Sequence, residues 1–126
     1  METNKILALL EFVQKLRDWS KDNFTISDSI IASNLIIFLA IEFSRDNQLT
    51  VKQLFVGFPY SYTATRQHYN QLLNDGWISH EIHQGDARVK YIRPSSKFMK
   101  LINSYTHQIE NSLTTIYKSA PTRSRT

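Results

Sequence analysis

The sequence contains no cysteine and only three glycines and three prolines among its 126 residues. Without cysteine there is no disulfide framework and no thiolate to act as nucleophile or metal ligand. So few glycines and prolines leave little material for the many tight turns of an all-β domain. The low glycine and proline counts therefore favour a mainly helical fold. The absence of cysteine is compatible with a reducing compartment.

Long hydrophobic runs and a secretion signal are also missing. The most apolar stretch, residues 35–41, is far shorter than the roughly 20 apolar residues that cross a bilayer as a helix. The first twenty residues lack the basic start, the unbroken apolar run and the small-residue cleavage site of a signal peptide. We therefore expect no membrane association and no secretion.

The charge is distributed unevenly along the chain. The net charge is +4, from 15 basic and 11 acidic residues. Residues 1–46 hold 5 basic and 7 acidic residues, a balance of −2, whereas residues 47–126 hold 10 and 4, a balance of +6. A basic C-terminal portion fits a polyanionic partner, although basic surfaces also simply keep proteins soluble.

Hydrophobic spacing in the first half predicts helices. Apolar residues three and four apart indicate an amphipathic helix over 4–21. A second helix, capped at Ser27 and running to about Arg45, is apolar on every face at its centre. Such a helix must be surrounded either by its own fold or by a partner subunit.

The next segment predicts two more helices. Thr50 and Gln53 match a capping box, in which the two side chains satisfy each other's free backbone amides, at the start of a short helix over 51–57. Tyr60 and Ser61 open a fourth helix over 61–75, which ends at Asp75 and Gly76.

Alternating residues after Gly76 predict a β-hairpin. A strand over 77–83, a turn over 84–86 and a return strand over 88–93 are followed by Pro94, which stops the second strand. Ser95 or Ser96 then caps a long helix that ends near 118. Its apolar seam packs on the first helix or on a second chain, and it consists of Phe98, Ile102, Tyr105, Ile109, Leu113 and Ile116.

This order of elements is that of a winged helix-turn-helix. We predict one mainly α domain over 1–119 with a small β-hairpin wing, in which residues 50–93 form the helix-turn-helix and the wing. Residues 120–126 are expected to form a disordered basic tail.

Residues 35–102 resemble the winged-helix core of MarR-type transcriptional regulators. The shared features are Leu49-Thr50 and Leu54, the run Leu72-x-x-x-Gly76-Trp77-Ile78, Asp86-x-Arg88, and Ser95/Ser96 with Lys97. The resemblance implies a cytoplasmic, nucleoid-associated protein that represses transcription. It also implies a homodimer built through helices 4–21 and 95–118, reading a pseudo-palindromic operator in double-stranded DNA. The sequence departs from the family in a shorter C-terminal end and in the absence of a second wing arginine.

The predicted fourth helix supplies the candidate reading face in the major groove. Helical spacing turns Thr65, Tyr69, Leu72 and Leu73 inward and places Thr63, Arg66, Gln67 and Asn70 together on the other side. Arginine forks onto guanine, and glutamine and asparagine fork onto adenine. We predict DNA contacts from Ser61, Thr63, Arg66, Gln67, Asn70, Arg88 and Lys90. The alternative is that the helix face is merely solvated.

The hairpin tip, residues 84–88, is the candidate minor-groove contact. The resemblance implies that Asp86 steadies Arg88, which reaches into a narrow A·T-rich minor groove. The alternative is a tight turn with a local ion pair. Further basic residues, which are Lys90, Arg93, Lys97 and Lys100, are candidate phosphate neighbours.

The histidines and hydroxyls give no pattern for chemistry. His68 is expected to be half-buried and satisfied, and His80 and His83 point to opposite faces of a strand, which argues against a metal site. No nucleophile elbow or phosphate loop is present. We therefore expect no enzyme activity, no cofactor and no metal, and a small-molecule effector stays unidentified. The competing function is a winged-helix protein-interaction module without specific DNA binding.

Overall fold

A computed structural model describes residues 3–23 and 29–119, so the predicted cap Ser27 and the tail 120–126 lie outside the described residues. The elements are α1 (Thr3–Asn23), α2 (Ile30–Ser44), α3 (Val51–Gly57), α4 (Tyr62–Asn74), β1 (Ile78–His83), β2 (Asp86–Pro94) and α5 (Ser96–Ser119). The order and type of the elements confirm the predicted fold class, a mainly helical chain with one two-stranded hairpin.

The starts of α2 and α3 follow from side-chain caps. Ser29 caps α2, because its Oγ accepts the amides of Ile31 at 3.1 Å and Ala32 at 3.5 Å, so the prediction of Ser27 was wrong. At α3 the capping box is confirmed. The amide of Gln53 donates to Thr50 Oγ1 at 3.1 Å, and the amide of Thr50 donates to Gln53 Oε1 at 2.9 Å.

The end of α4 is a glycine-capped turn that aims the chain into β1. Gly76 adopts a left-handed φ of 79°, which is costly for residues with a Cβ. Its amide donates to Leu73 O at 3.1 Å, and the amide of Trp77 donates to Leu72 O at 2.9 Å, which is the Schellman arrangement. Lys97 adds a bond from Nζ to Asp75 O at 2.9 Å.

The hairpin is antiparallel and is extended by a third short segment. His80 pairs with Ile92, and the register shifts by a bulge at His83. The second strand therefore begins at Asp86, two residues earlier than predicted, because Asp86 still pairs with His83 across the turn. Leu49 O accepts the amide of Ile92 at 2.9 Å, and Thr50 bridges Tyr91, so the residues just before α3 lie along β2.

The core forms where α2 meets the winged-helix elements. Leu35 and Leu39 of α2 are fully buried, together with Phe98 of α5 and Ile92 of β2. The apolar helix α2 is therefore covered largely by its own chain. Its end residues are the exception, because Ile30 is 71% exposed.

The seam of α5 packs on α1. The rings of Trp19 and Tyr105 lie 5.6 Å apart between these helices, and Lys5 Nζ lies 5.2 Å from the Tyr117 ring. Phe98 and Ile116, at the two ends of the seam, are buried. Of the two predicted partners for the seam, the first helix of the same chain is the one that the structure shows.

Candidate nucleic-acid interface

One face of helix α4 packs in the core, and the other face is exposed to solvent. Thr65, Tyr69 and Leu72 are 1–2% exposed, and Leu73 is half-buried, as the spacing predicted. The opposite face is exposed and lines one depression, formed by Tyr62, Thr63, Arg66, Gln67 and Asn70. The four predicted reading residues are thus together on one surface, while their contact with DNA stays a prediction.

Ser61 has a structural role at the start of α4. Its Oγ accepts the amide of Ala64 at 3.2 Å, which satisfies one of the free amides of the first turn. Ser61 is also exposed beside the reading face. A contact from Ser61 to DNA would therefore share a hydroxyl that already caps the helix.

A tyrosine–histidine pair joins α4 to the hairpin. Tyr69 Oη and His80 Nε2 lie 2.7 Å apart, and the Phe55 ring packs on Tyr69 in a T-shaped arrangement with centroids 5.4 Å apart. Burial raises the pKa of Tyr69 far above its usual range. Burial and the charge of Lys90 lower the pKa of His80. The orientation of α4 relative to β1 is therefore tied to a specific polar contact.

The wing tip presents an arginine that is held by a carboxylate. Arg88 Nε and Nη2 each lie 3.1 Å from an oxygen of Asp86, and the amide of Arg88 donates to Asp86 Oδ1 at 3.0 Å. These bonds lower the pKa of Asp86. The Arg88 side chain is nevertheless 89% exposed. The local ion pair thus exists, and it leaves the guanidinium facing solvent.

The turn before Asp86 is held by a histidine that sequence reasoning did not assign. His83 Nδ1 accepts the amides of Gly85 at 2.9 Å and of Asp86 at 3.1 Å. Nδ1 can accept only when it carries no proton, so the proton of the neutral ring is on Nε2. The short loop and a histidine two residues before glycine were the available signal.

Of the other basic residues, some contact side chains of the protein and others are exposed without an ion pair. Arg93 Nε lies 2.6 Å from Glu81 Oε1, and Lys97 Nζ lies 4.1 Å from the centre of the Trp77 ring. Both have partners within the protein, and their contacts with phosphate stay a prediction. Lys90 and Lys100 are exposed, and among residues 3–23 and 29–119 neither forms an ion pair.

The remaining polar side chains show no chemistry of their own. His68 is half-buried as predicted, but its buried Nδ1 has no hydrogen-bond partner within the described chain, so the prediction of a satisfied histidine was wrong. His80 and His83 serve the contacts above. No cluster of three metal-ligating side chains is found in the part of the chain that the structure describes.

Known proteins match this chain in structure only. No family model matches it, and no curated protein does. A mutant of MepR from S. aureus superposes with a TM-score of 0.69 at 13% identity, covering 96% of this chain and 86% of that one. A Bacillus cereus protein described as a MarR-like transcription regulator gives a TM-score of 0.55 at 15% identity, covering 94% and 81%. The chain therefore has the MarR-like winged-helix fold that the sequence resemblance implied.

The helices also bear on the expectation that the chain does not associate with a membrane. Across the described ranges, none of them combines the length and the apolar character that spanning a bilayer requires.

Proposed function

We propose that this chain is a sequence-specific double-stranded DNA-binding protein that regulates transcription, as a dimeric repressor, and that it is not an enzyme. The observation that carries the proposal is the division of α4 into a buried and an exposed face. Thr65 and Tyr69 anchor the helix in the core, while Arg66 and Asn70 project from it. A helix supported in this way can enter the major groove, which is wide enough to admit it.

The chemistry of the exposed face fits base reading. Arg66 can fork onto guanine, and Gln67 and Asn70 can each present an amide to adenine. Thr63, one turn before Gln67, can contact a phosphate or a thymine methyl group. Arg66, the charged member of the four, forms no ion pair within the described ranges.

The wing supplies a second contact beside the helix. Arg88 is exposed yet held by Asp86, so its guanidinium is oriented before any partner binds. The narrow minor groove of A·T-rich DNA concentrates negative potential and attracts such an arginine. Lys90, two residues along β2, is suited to a phosphate.

An exposed apolar stripe on α1 supports a homodimer. Ile6, Leu7, Leu10 and Val13 are 43–62% exposed although α1 already packs on α5 through Trp19. An apolar stripe at helical spacing that faces solvent in one chain fits a second copy. The dimer would present two α4 helices to half-sites one helical turn apart, about 34–36 Å centre to centre.

The regulatory role comes to this chain by analogy of fold. The B. cereus neighbour is described as a MarR-like transcription regulator, and this chain is similar to it in fold, with a TM-score of 0.55. Fold alone does not fix function, so the support from this likeness depends on the α4 surface described above.

A salt titration of binding to duplex DNA tests the proposal. The protein is mixed with a random-sequence duplex at rising salt, and the sites it prefers are selected from the same library. We expect a steep fall of affinity with salt, because phosphate contacts release counterions. A protein that fails to bind any duplex at low salt would instead be a protein-interaction module.

A further inference from the structure

A groove lies between α3, the start of α4 and the wing, beside the depression on the exposed face of α4. Its volume is about 570 Å³. Its basic residues are Lys52 of α3 and Arg88 and Lys90 of β2, and its apolar residues include Phe55, Val56 and Tyr62. None of these was assigned to this groove by their positions in the sequence, because the groove exists only once α3 lies beside β2.

The pairing of Leu49 and Thr50 with β2 builds this groove. Ile92 donates its amide to Leu49 O at 2.9 Å, and Thr50 bridges Tyr91, so α3 begins directly beside the second wing strand. Lys52 follows Thr50 in the first turn of α3. It therefore lines the same groove as Lys90, on an element that begins beside the sheet.

The groove is continuous with both proposed DNA contacts. Tyr62 lines the groove and also lines the depression that contains Arg66 and Asn70. Arg88 of the wing also lines the groove. The groove thus shares Tyr62 with the depression on α4 and contains the arginine proposed for the minor groove.

The geometry of a DNA duplex places a sugar–phosphate strand over this surface if α4 and Arg88 both contact the duplex. A major groove and the neighbouring minor groove are separated by one sugar–phosphate strand. If α4 lies in the first and Arg88 in the second, that strand must cross the gap between them. The gap between them is the groove.

The lining matches a sugar–phosphate strand in its chemistry. Lys52 and Lys90 are exposed, and neither has a carboxylate within 4.0 Å in the described ranges, so both ammonium groups are available to phosphates. Val56 and Tyr62, which also line the groove, are 79% and 62% exposed, so their apolar surface is open to a partner. Deoxyribose rings present the apolar surface that such residues can cover.

We propose that this groove binds the DNA strand that separates the major groove from the adjacent minor groove, with Lys52 and Lys90 contacting its phosphates and Val56 and Tyr62 its sugars. The inference rests on the proposed function and adds Lys52, Val56 and Tyr62 to the interface. Its occupant is a duplex strand, since only a duplex would engage the reading face, the groove and the wing tip together.

Salt dependence of the charge-removing variants tests the two lysines. Each lysine that neutralises one phosphate contributes about 0.9 to the slope of log affinity against log salt. Raising salt from 50 to 200 mM should therefore cost Lys52→Gln about 3.5-fold less affinity than it costs the unmodified protein, and the same holds for Lys90→Gln. The matched control is Lys118→Gln, at the exposed end of α5, which should keep the unmodified slope.

A phosphate-by-phosphate experiment locates the contact. Single neutral methylphosphonates are placed one at a time across the junction between a selected site and its flanking minor groove. At one or two positions the substitution should weaken the unmodified protein and Lys118→Gln several-fold, yet leave Lys52→Gln or Lys90→Gln without further loss. Unchanged denaturation midpoints will show that the variants fold.

The outcomes separate the groove from the proposed function. Steep salt dependence in the unmodified protein, with the same slope in Lys52→Gln and Lys90→Gln, overturns the groove and leaves DNA binding intact. An unmodified protein that binds no duplex at low salt overturns both.

Discussion

Tyr69 of α4 and His80 of β1 are joined by a hydrogen bond of 2.7 Å between Oη and Nε2, and their rings stack with centroids 5.8 Å apart at an angle of 20°. The contact connects the helix proposed to read bases with the hairpin that carries Arg88. Because Tyr69 is 2% exposed and wedged against Phe55, the helix cannot rotate relative to β1 without breaking the pair. The pair therefore fixes the orientation of α4 relative to the hairpin, the two elements proposed to contact DNA.

Stability should fall in mild acid because of His80. Burial and Lys90 hold the pKa of His80 below its usual 6.5, so the unfolded chain takes up the proton more readily than the folded one. The contribution of His80 is full above pH 6.5 and is lost as the pH falls through the lowered value. Denaturation midpoints at pH 7.5 and pH 5 measure this loss.

Substitution isolates the histidine responsible for this loss. His80→Gln should lose less stability between the two pH values than the unmodified protein, whereas His107→Gln, at an exposed position of α5, should lose as much. An equal loss in His80→Gln would assign the acid sensitivity to other groups.

Arg88→Lys should lose selectivity while retaining charge. Lysine cannot form the two-pronged contact with Asp86 that orients the guanidinium, and its compact ammonium is more strongly hydrated. We expect the preference for A·T-rich flanks to fall about five- to tenfold while the salt slope stays unchanged. Competition binding between duplexes with A·T-rich flanks and duplexes with G·C-rich flanks measures this preference.

The matched control for the wing is Lys90→Arg, which also keeps its charge and should keep the flank preference. If Arg88→Lys discriminates flanks as the unmodified protein does, the wing arginine does not read groove width.

Gly76→Ala should destabilise the turn between α4 and β1. No atom lies within 4 Å of the added Cβ, so the cost comes from the backbone φ of 79° alone and should be about 1–2 kcal/mol. Gly57→Ala, where the nearest atom to the new Cβ is Phe38 Cζ at 3.9 Å, should be neutral or slightly stabilising. Urea denaturation of both variants measures the two effects on stability. Equal midpoints for Gly76→Ala and Gly57→Ala would show that a side chain at Gly76 does not strain the left-handed turn.

Leu10→Glu should prevent self-association if α1 forms the dimer. Leu10 is 62% exposed in the centre of the apolar stripe, and a buried unpaired carboxylate there would oppose the interface. Sedimentation should give the mass of one chain for Leu10→Glu and of two for the unmodified protein. Asn74→Glu, exposed at the end of α4 and outside both helices expected to build the dimer, is the control with the same charge. A monomeric unmodified protein would remove the dimer from the proposal.

Local sequence rules predicted the features that depend on neighbouring residues. The capping box of Thr50 and Gln53 and the glycine turn at Gly76 are written in short runs of sequence, and both are confirmed. The shared face of Arg66 and Asn70 follows from helical periodicity. The cap of α2 was misplaced because Ser27 and Ser29 are both good caps, and only the observed bonds choose between them.

Contacts between distant residues could not be predicted in this way. The Tyr69–His80 pair bridges two elements, and each residue alone looks like an ordinary core tyrosine or strand histidine. The groove depends on Thr50 meeting Tyr91, forty-one positions away along the chain. Nothing in the spacing of Lys52 and Lys90 indicates that they line one groove.

The ratio of affinities for a selected duplex and for random duplex, measured for the unmodified protein and for Arg66→Ala, tests sequence reading by α4 most directly. We expect the unmodified protein to prefer its selected site, and Arg66→Ala to lose about 1–3 kcal/mol of that preference at one base-pair position. Lys90→Ala should instead weaken selected and random duplexes alike. An equal ratio for the unmodified protein and Arg66→Ala would contradict base reading by this helix.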